Sequence, residues 1–382
     1  MTEPAYSLAP LAAAIVEAFY DRHTPPDGDP DTPVPGLIPD GEAVVSMVDA
    51  AFWASLRREE GRSSLVSLAF VPPDQTAQPL MFAHPLPLEP DSLARLAPAV
   101  AAPGVHLGVW RDGGALKVWG ATRVLPDLCF VLEVIEPGLV VLKYRRGAEH
   151  GKFGNMAVLR ADRIRVVDEG SAYQPGCTTR LSALFASMLD LDAPEEGDTG
   201  NALLQLAVSM RSHGRGGALL VVPSDSTAWL ESIVQPVSYA ISPPFSRLAE
   251  LLALPPAERG RAGGRDGVGK LIDMVAGVTA VDGAAIMNDR YELLAFGAKI
   301  GRRDGVGQVE QVVVMEPVLD DIPTLMAPVQ LGGTRHLSAA QFVHDQRDAL
   351  ALVASQDGRF TVFAWSDTEA MVHAHRIETL LF

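Results

Sequence analysis

Val278-Thr-Ala-Val-Asp-Gly-Ala-Ala-Ile-Met-Asn-Asp-Arg-Tyr-Glu-Leu-Leu-Ala-Phe-Gly-Ala-Lys-Ile300 reads as a strand, a turn and a second strand. The apolar runs Ala284–Met287 and Leu293–Phe296 flank Asn288-Asp289-Arg290, as a hairpin requires. Lys270–Val275 begins a helix that leads into it, and Gln308–Met315 follows as a further strand. Buried strands alternating with helices mark this half of the chain as α/β. Asp282 stands just before the first buried run and is followed by Gly283. A carboxylate at a strand end, beside a residue without a Cβ, can meet a ligand whose atoms approach the backbone. The same Asp-Gly pair is also an ordinary turn.

A second feature lies downstream at Gly332-Gly-Thr-Arg-His-Leu-Ser338, ahead of the helical segment Ala339–Val343. Thr334 or Ser338 is expected to cap that helix. Backbone amides at its start, with Arg335 and His336, would form a site for phosphate. The alternative is a capped loop whose Arg and His are only solvated.

The chain has 382 residues, enough for two or three domains, and is 48% hydrophobic and 20% charged, so most of it should fold. A net charge of −16 argues against a general nucleic-acid or anionic-membrane binder. The two cysteines, Cys129 and Cys177, stand in no metal or disulfide spacing. No signal peptide is visible, so the cytoplasm is the expected compartment. No run reaches the ~18 apolar residues of a spanning helix. The nearest, Leu8 to Phe19, is interrupted by Pro10 and Glu17.

Along the chain, residues 7–22 read as a helix and Pro25–Pro39 as a connector. Asp40 or Gly41 opens a helix to about Glu59, with Val44, Val45, Val48, Ala51, Phe52 and Leu56 on one face. Short strands follow: Leu65–Phe70, Val105–Trp110, Ala115–Trp119, Cys129–Ile135, Leu139–Tyr144 and Met156–Val167. Turns are expected at Arg111-Asp-Gly-Gly114 and Glu136-Pro-Gly138, and one helix at Asp91–Ala101. Lys143, Arg145, Arg146, His150 and Lys152 read as a solvated hairpin face. A helix at Thr178–Leu191 and a polar stretch at 191–200 precede a helix from Asn201 to His213. Trp229 to Leu252 reads as mostly helical, Gly260–Gly267 as a loop, and Ala349–Ala354 and Phe360–Trp365 as strands.

Two decoys are set aside. Gly264-Arg-Asp-Gly-Val-Gly-Lys270 fits the start of a P-loop, but Leu271 stands where a magnesium-binding Ser or Thr belongs and no buried strand precedes it. His373 and His375 share a strand face, but no third ligand lies near in sequence, so a solvated or core pair is expected.

The strand Gly217-Ala-Leu-Leu-Val-Val222, then Asp282-Gly-Ala284, Gly333-Thr-Arg-His336 and Ser355-Gln-Asp357 occur in that order. Together they resemble the diadenylate cyclase (DAC) domain, which makes cyclic di-AMP from two ATP. The N-terminal half is similar to the probable sensor modules fused ahead of some of these cyclases. The resemblance implies an α/β domain with a mixed central sheet and flanking helices at 201–382, after an α+β domain at 1–190 and a linker at 191–200. It implies that Asp282 binds a divalent metal, Mn or Mg, and orients or activates the ribose 3′-hydroxyl. Gly283 and Ala284 would admit the nucleotide to the backbone, Thr334, Arg335 and His336 would hold its phosphates, and Gly333 and Ser355 would complete the nucleotide site. Asp357 stands where the family usually has a metal-side Glu.

The family usually reads Arg-His-Arg where this chain has Arg335-His336-Leu337. Losing that guanidinium removes up to five donors and one charge, with Arg347, Lys299 or Arg302 as possible substitutes. The implied partners are ATP, a second copy facing the first, and an unknown sensor ligand, with neither nucleic acid nor membrane. The alternatives are a degenerate DAC domain that binds nucleotide or cyclic dinucleotide without catalysis, or a related nucleotidyltransferase with other products.

Overall fold

Asp40 starts an apolar helix of 15 residues in the N-terminal half, because its carboxylate accepts the Ala43 amide at 2.8 Å. The computed structural model describes residues 3–23, 38–102, 104–146, 152–168, 200–255, 258 and 264–382. They fall into two compact units, one of residues 1–167 with Phe382 and one of 168–381. The expected helix at 178–191 and residues 191–199 of the expected linker lie outside the described residues, while Gly200 already begins a helix.

In the first unit, helices α1 (Ala9–His23) and α2 (Gly41–Ser55) precede the short pair β1 (Arg58–Glu59) and β2 (Arg62–Ser63). Then come β3 (Ser67–Phe70), β4 (Leu80–Pro87), α3 (Pro90–Leu96), β5 (His106–Asp112), β6 (Ala115–Thr122), β7 (Phe130–Glu136), β8 (Leu139–Arg146), β9 (Lys152–Arg160) and β10 (Arg163–Val166). The eight-stranded sheet runs β10-β9-β8-β7-β3-β5-β6-β4, antiparallel except for β3 beside β5. One face, with Leu68, Leu107, Leu132 and Leu142, packs against the helices. The α2 stripe of Val44, Val48, Ala51 and Phe52 lies in that core. Leu56, expected on the same stripe, is exposed because the helix ends at Ser55.

Asp112 pairs with Ala115 across Gly113 and Gly114, both at positive φ, so the hairpin turn expected at Arg111–Gly114 forms on its last two residues, while Arg111 and Asp112 belong to the strand. Two expectations are corrected here. Met156–Val167 is two strands, reversing at Ala161 with φ 52°. Lys143 is no solvated cation, since it is buried and donates to Glu133. Strand β4 escaped the sequence reading because it is a sheet edge. Its residues are half-buried or exposed, and the prolines tolerated there break any alternating pattern.

The second unit contains α4 (Gly200–Ser212), β11 (Gly217–Val222), β12 (Tyr239–Phe245), α5 (Arg247–Leu252), α6 (Gly264–Val278), β13 (Ala284–Asn288) and β14 (Leu293–Ala298). After these come β15 (Val312–Met315), β16 (Thr324–Met326), α7 (Pro328–Leu331), α8 (Thr334–Asp345), β17 (Leu350–Ala354), β18 (Phe360–Ser366) and β19 (Met371–Arg376). They build a nine-stranded mixed sheet, ordered β12-β14-β13-β11-β17-β18-β19-β15-β16. Alternation along β11 divides the core. Leu219 and Val221 pack with residues of α4, α5 and α6, while Ala218 and Leu220 pack with residues of α8.

Trp229–Leu252 is mostly not helical. It holds a single turn at Ala228–Ser232, the edge strand β12 and the short α5, and the edge position again tolerates Pro243-Pro244. The loop expected at Gly260–Gly267 is helix from Gly264 onward. Burial of Ile272, Val275 and Ala276 on one face outweighs the roughly 1 kcal/mol that each interior glycine costs. The P-loop-like residues therefore lie on a helix, which supports setting them aside. His373 and His375 are a buried pair with rings 5.9 Å apart, and no group of three metal-binding side chains occurs among the described residues.

Candidate active site

Gly217 pairs with Ala354 and Ala284 with Ala298, while Leu219 on β11 aligns with Ala285 on β13. The amino ends of β11 and β13, the carboxyl ends of β14 and β17 and the start of β18 therefore lie along one end of the sheet. Asp282 and Gly283 immediately precede β13 at that end. The Ser355–Gly358 turn joins β17 to β18 there, with the Gly358 amide donating to the Ser355 carbonyl at 3.2 Å. Helix α8 begins there as well. A Cβ built on Gly216 would come within 2.9 Å of Arg335 Nη1 and 3.2 Å of the Ala354 carbonyl oxygen.

The backbone around Asp282 is tightly nested. Gly283 sits at φ 102°, and a Cβ on it would lie 2.6 Å from the Gly297 carbonyl carbon. Gly297, at φ 63°, is in turn covered by the Tyr239 ring, which stacks on Phe296. The Asp282 side chain itself is exposed. Gly297 was not singled out in the sequence, and its only local sign is a glycine interrupting an apolar strand run.

Neither Thr334 nor Ser338 caps α8. Gly333 occupies the cap without a side-chain bond, and Thr334 is the first helical residue. The first amides of a helix have no intrahelical acceptor, so an uncapped start suits an anion. The tight glycine is Gly332, where a Cβ would lie 2.4 Å from His336 Nδ1, whereas a Cβ on Gly333 would meet open space. Asp357 faces Arg359 at 3.2 Å.

His336 is buried, edge-on to Phe363, and its Nε2 has no hydrogen-bond partner among the described residues. Its pKa is lowered to about 4, chiefly by burial; Asp357 opposes this, while Arg359, Arg376 and Arg335 add to it. His375, buried beside His373, is lowered to about 3. Both are neutral when folded but protonate near pH 6.5 when unfolded, so unfolding takes up protons below that pH. Their contribution is whole above about pH 6.5 and is lost as pH falls toward 4. At pH 5 each should cost about 2 kcal/mol. Thermal melts should show the C-terminal unit weakening from pH 7 to 5, with about half the effect gone in His336→Gln.

The expected substitutes for the missing guanidinium separate. Lys299 directly follows β14, at the Asp282 end. Arg347 cannot serve, since it follows α8 at the opposite end and lies 4.0 Å over the Trp365 ring. A cavity of about 360 Å³ at that opposite end is lined by Trp229, Arg303 and His344 and includes none of the predicted site residues. Beside it, Asp345 accepts from Gln341 and from the Arg303 amide, at 2.7 and 2.8 Å.

The N-terminal unit gives a clearer family signal. Residues 35–123 match the probable sensor domain DACNV. The DACNV match runs across α2 and on through β6. It makes the N-terminal unit the bearer of a probable sensor domain, as the sequence suggested, and points to a signalling protein. No curated protein matches the chain. No helix among the described residues is long and apolar enough to cross a membrane.

Proposed function

We propose that the C-terminal unit is a diadenylate cyclase that condenses two ATP into cyclic di-AMP under the influence of the DACNV sensor domain. The observation behind this reading is the convergence of Asp282-Gly283, Arg335 and the Ser355–Asp357 turn at one end of one sheet. These segments are far apart in the chain. In the reaction, a ribose 3′-oxygen bonds to the α-phosphorus of the other ATP as the bond to the β-phosphate breaks and pyrophosphate leaves.

Such transfer depends on positioning and charge neutralisation more than on covalent help. Asp282 would accept the 3′-hydroxyl proton, and Gly283 would let the nucleotide reach the backbone. Arg335 and the open amides of α8 would hold phosphate oxygens, and neutral His336 would offer a hydrogen bond rather than a charge. A divalent ion, Mg or Mn, would arrive with the triphosphate and offset its charge. One or two carboxylates suffice for an ion that keeps water and phosphate ligands; both Asp282 and Asp357 are exposed, and Asp357 must share itself with Arg359. Because the product ring is symmetric, two such domains must face each other, at least transiently.

A second reading, a domain that binds nucleotide without turnover, is motivated by Leu337. Incubating the full chain with ATP and Mg or Mn and identifying products by mass spectrometry separates the readings. Cyclic di-AMP supports the cyclase, binding without product supports the second reading, and linear or mixed products point to a related nucleotidyltransferase.

Leu337 is partly buried against the apolar core under α8. Leu337→Arg is expected to raise kcat/KM for ATP several-fold and to lower the melting temperature by a few degrees, because about 1 kcal/mol of packing is lost. Unchanged kcat/KM would mean that Arg335 and Lys299 already meet the need.

A further inference from the structure

The N-terminal unit holds a cleft of about 860 Å³ at one end of its sheet. Leu65, Val105 and Ile135 supply apolar wall, and the β1–β2 pair, with Glu59 and Glu60, borders it. Most of this lining lies within the DACNV match, although no function is assigned to it.

Ser67 and Glu133 are the polar groups that adjoining strands present to the cleft. Ser67 Oγ is already bonded to His106 Nδ1 at 2.7 Å. Glu133 Oε2 accepts from Lys143, whose side chain is 8% exposed, and that of Glu133 is 28% exposed. Oε1 of Glu133 has no hydrogen-bond partner among the described residues. A carboxylate oxygen on a partly buried side chain gains most from a charged N–H donor, which makes bonds about twice as strong as neutral ones. An anionic head group would instead face Glu133, the partly buried charge that lines the cleft; Glu59 and Glu60, like the two arginines of the lining, are exposed. Arg62 and Arg95 also line the cleft but are exposed, where water screens their charge. Burial keeps His106 neutral, its pKa lowered to about 4, so it supplies no positive charge at neutral pH.

We propose that this cleft is the sensor's ligand site and that it takes a small amphipathic amine, with the ammonium group on Glu133 and the apolar body along Leu65, Val105 and Ile135. The proposal rests on the sensor-domain match and is independent of the cyclase reading, since its test reads binding alone.

The test is isothermal titration calorimetry of the full chain with tryptamine, its neutral analogue tryptophol and the anion indole-3-propionate. Tryptamine should bind saturably, at least tenfold more tightly than either analogue. Glu133→Gln should weaken tryptamine at least tenfold while leaving tryptophol unchanged. Should that variant fail to fold because Lys143 loses its partner, Ala101→Trp, which fills the cleft from its lining, decides the location and should abolish binding. The three probes on the unaltered chain then decide the charge preference. No saturable binding of tryptamine, equal binding of the three probes, or full binding by Ala101→Trp would each overturn the proposal.

Discussion

Asp282→Asn is expected to lower the rate of cyclic di-AMP formation by about 10² to 10⁴-fold, the usual range for a positioned proton acceptor. Its melting temperature should stay within about a degree of the parent, because an exposed side chain of this kind contributes within about 0.5 kcal/mol. The side chain is exposed and forms no hydrogen bond or ion pair among the described residues. Asn keeps the size and removes the charge that would take the 3′-hydroxyl proton. ATP affinity measured in EDTA should change little, since Arg335 and the α8 amides hold the phosphates in this reading. Full turnover by a folded Asp282→Asn protein would remove this residue from the chemistry and leave the cyclase reading without its base.

Gly283→Ala should be the most damaging single-methyl change in the C-terminal unit, costing about 3 to 5 kcal/mol in urea unfolding. Two independent effects add. At φ 102° a Cβ is strained whatever its surroundings, and here it would also press on the Gly297 carbonyl carbon at 2.6 Å and the Ala298 oxygen at 2.8 Å. Both contacts are backbone atoms of the paired strand, so no rotamer change relieves them. Gly333→Ala is the control. With φ −72° and open space around its Cβ, it should shift stability by less than about 0.5 kcal/mol. Any activity that Gly333→Ala loses therefore reports on ligand approach. Equal stability of the two variants would show that the Gly283–Gly297 nesting does not exist in solution.

The candidate site was partly legible in the chain. Asp282-Gly283 before an apolar run and Gly-Thr-Arg-His before a helix are local signals, and both segments form the elements expected of them. Their local detail was less legible. The cap falls on Gly333 rather than Thr334 or Ser338, the crowded glycine is Gly332, and His336 is buried instead of presenting a charge. Each of these depends on what packs above the helix start, including Phe363, which lies far away in sequence. Arg347 is close to the site in sequence but not in space. The twelve residues of α8 span about 18 Å at 1.5 Å per residue, which carries it to the other end of the domain.

By itself the sequence determined the features set by short-range chemistry. These are the helix start at Asp40 or Gly41 and the α2 stripe, the glycine turn ending at Gly113-Gly114, the buried hairpin around Asn288, and the exclusion of a P-loop at Gly264–Lys270. Each depends on φ preference, periodicity or hydrogen bonding within a few residues. Only the tertiary structure decided the strand order, the proline-bearing edges β4 and β12, the burial of Lys143 against Glu133, and the shared sheet end of Asp282 and Arg335. Strand order and register come from pairing between distant segments, and burial of a charge is settled by the partner that pairing brings to it.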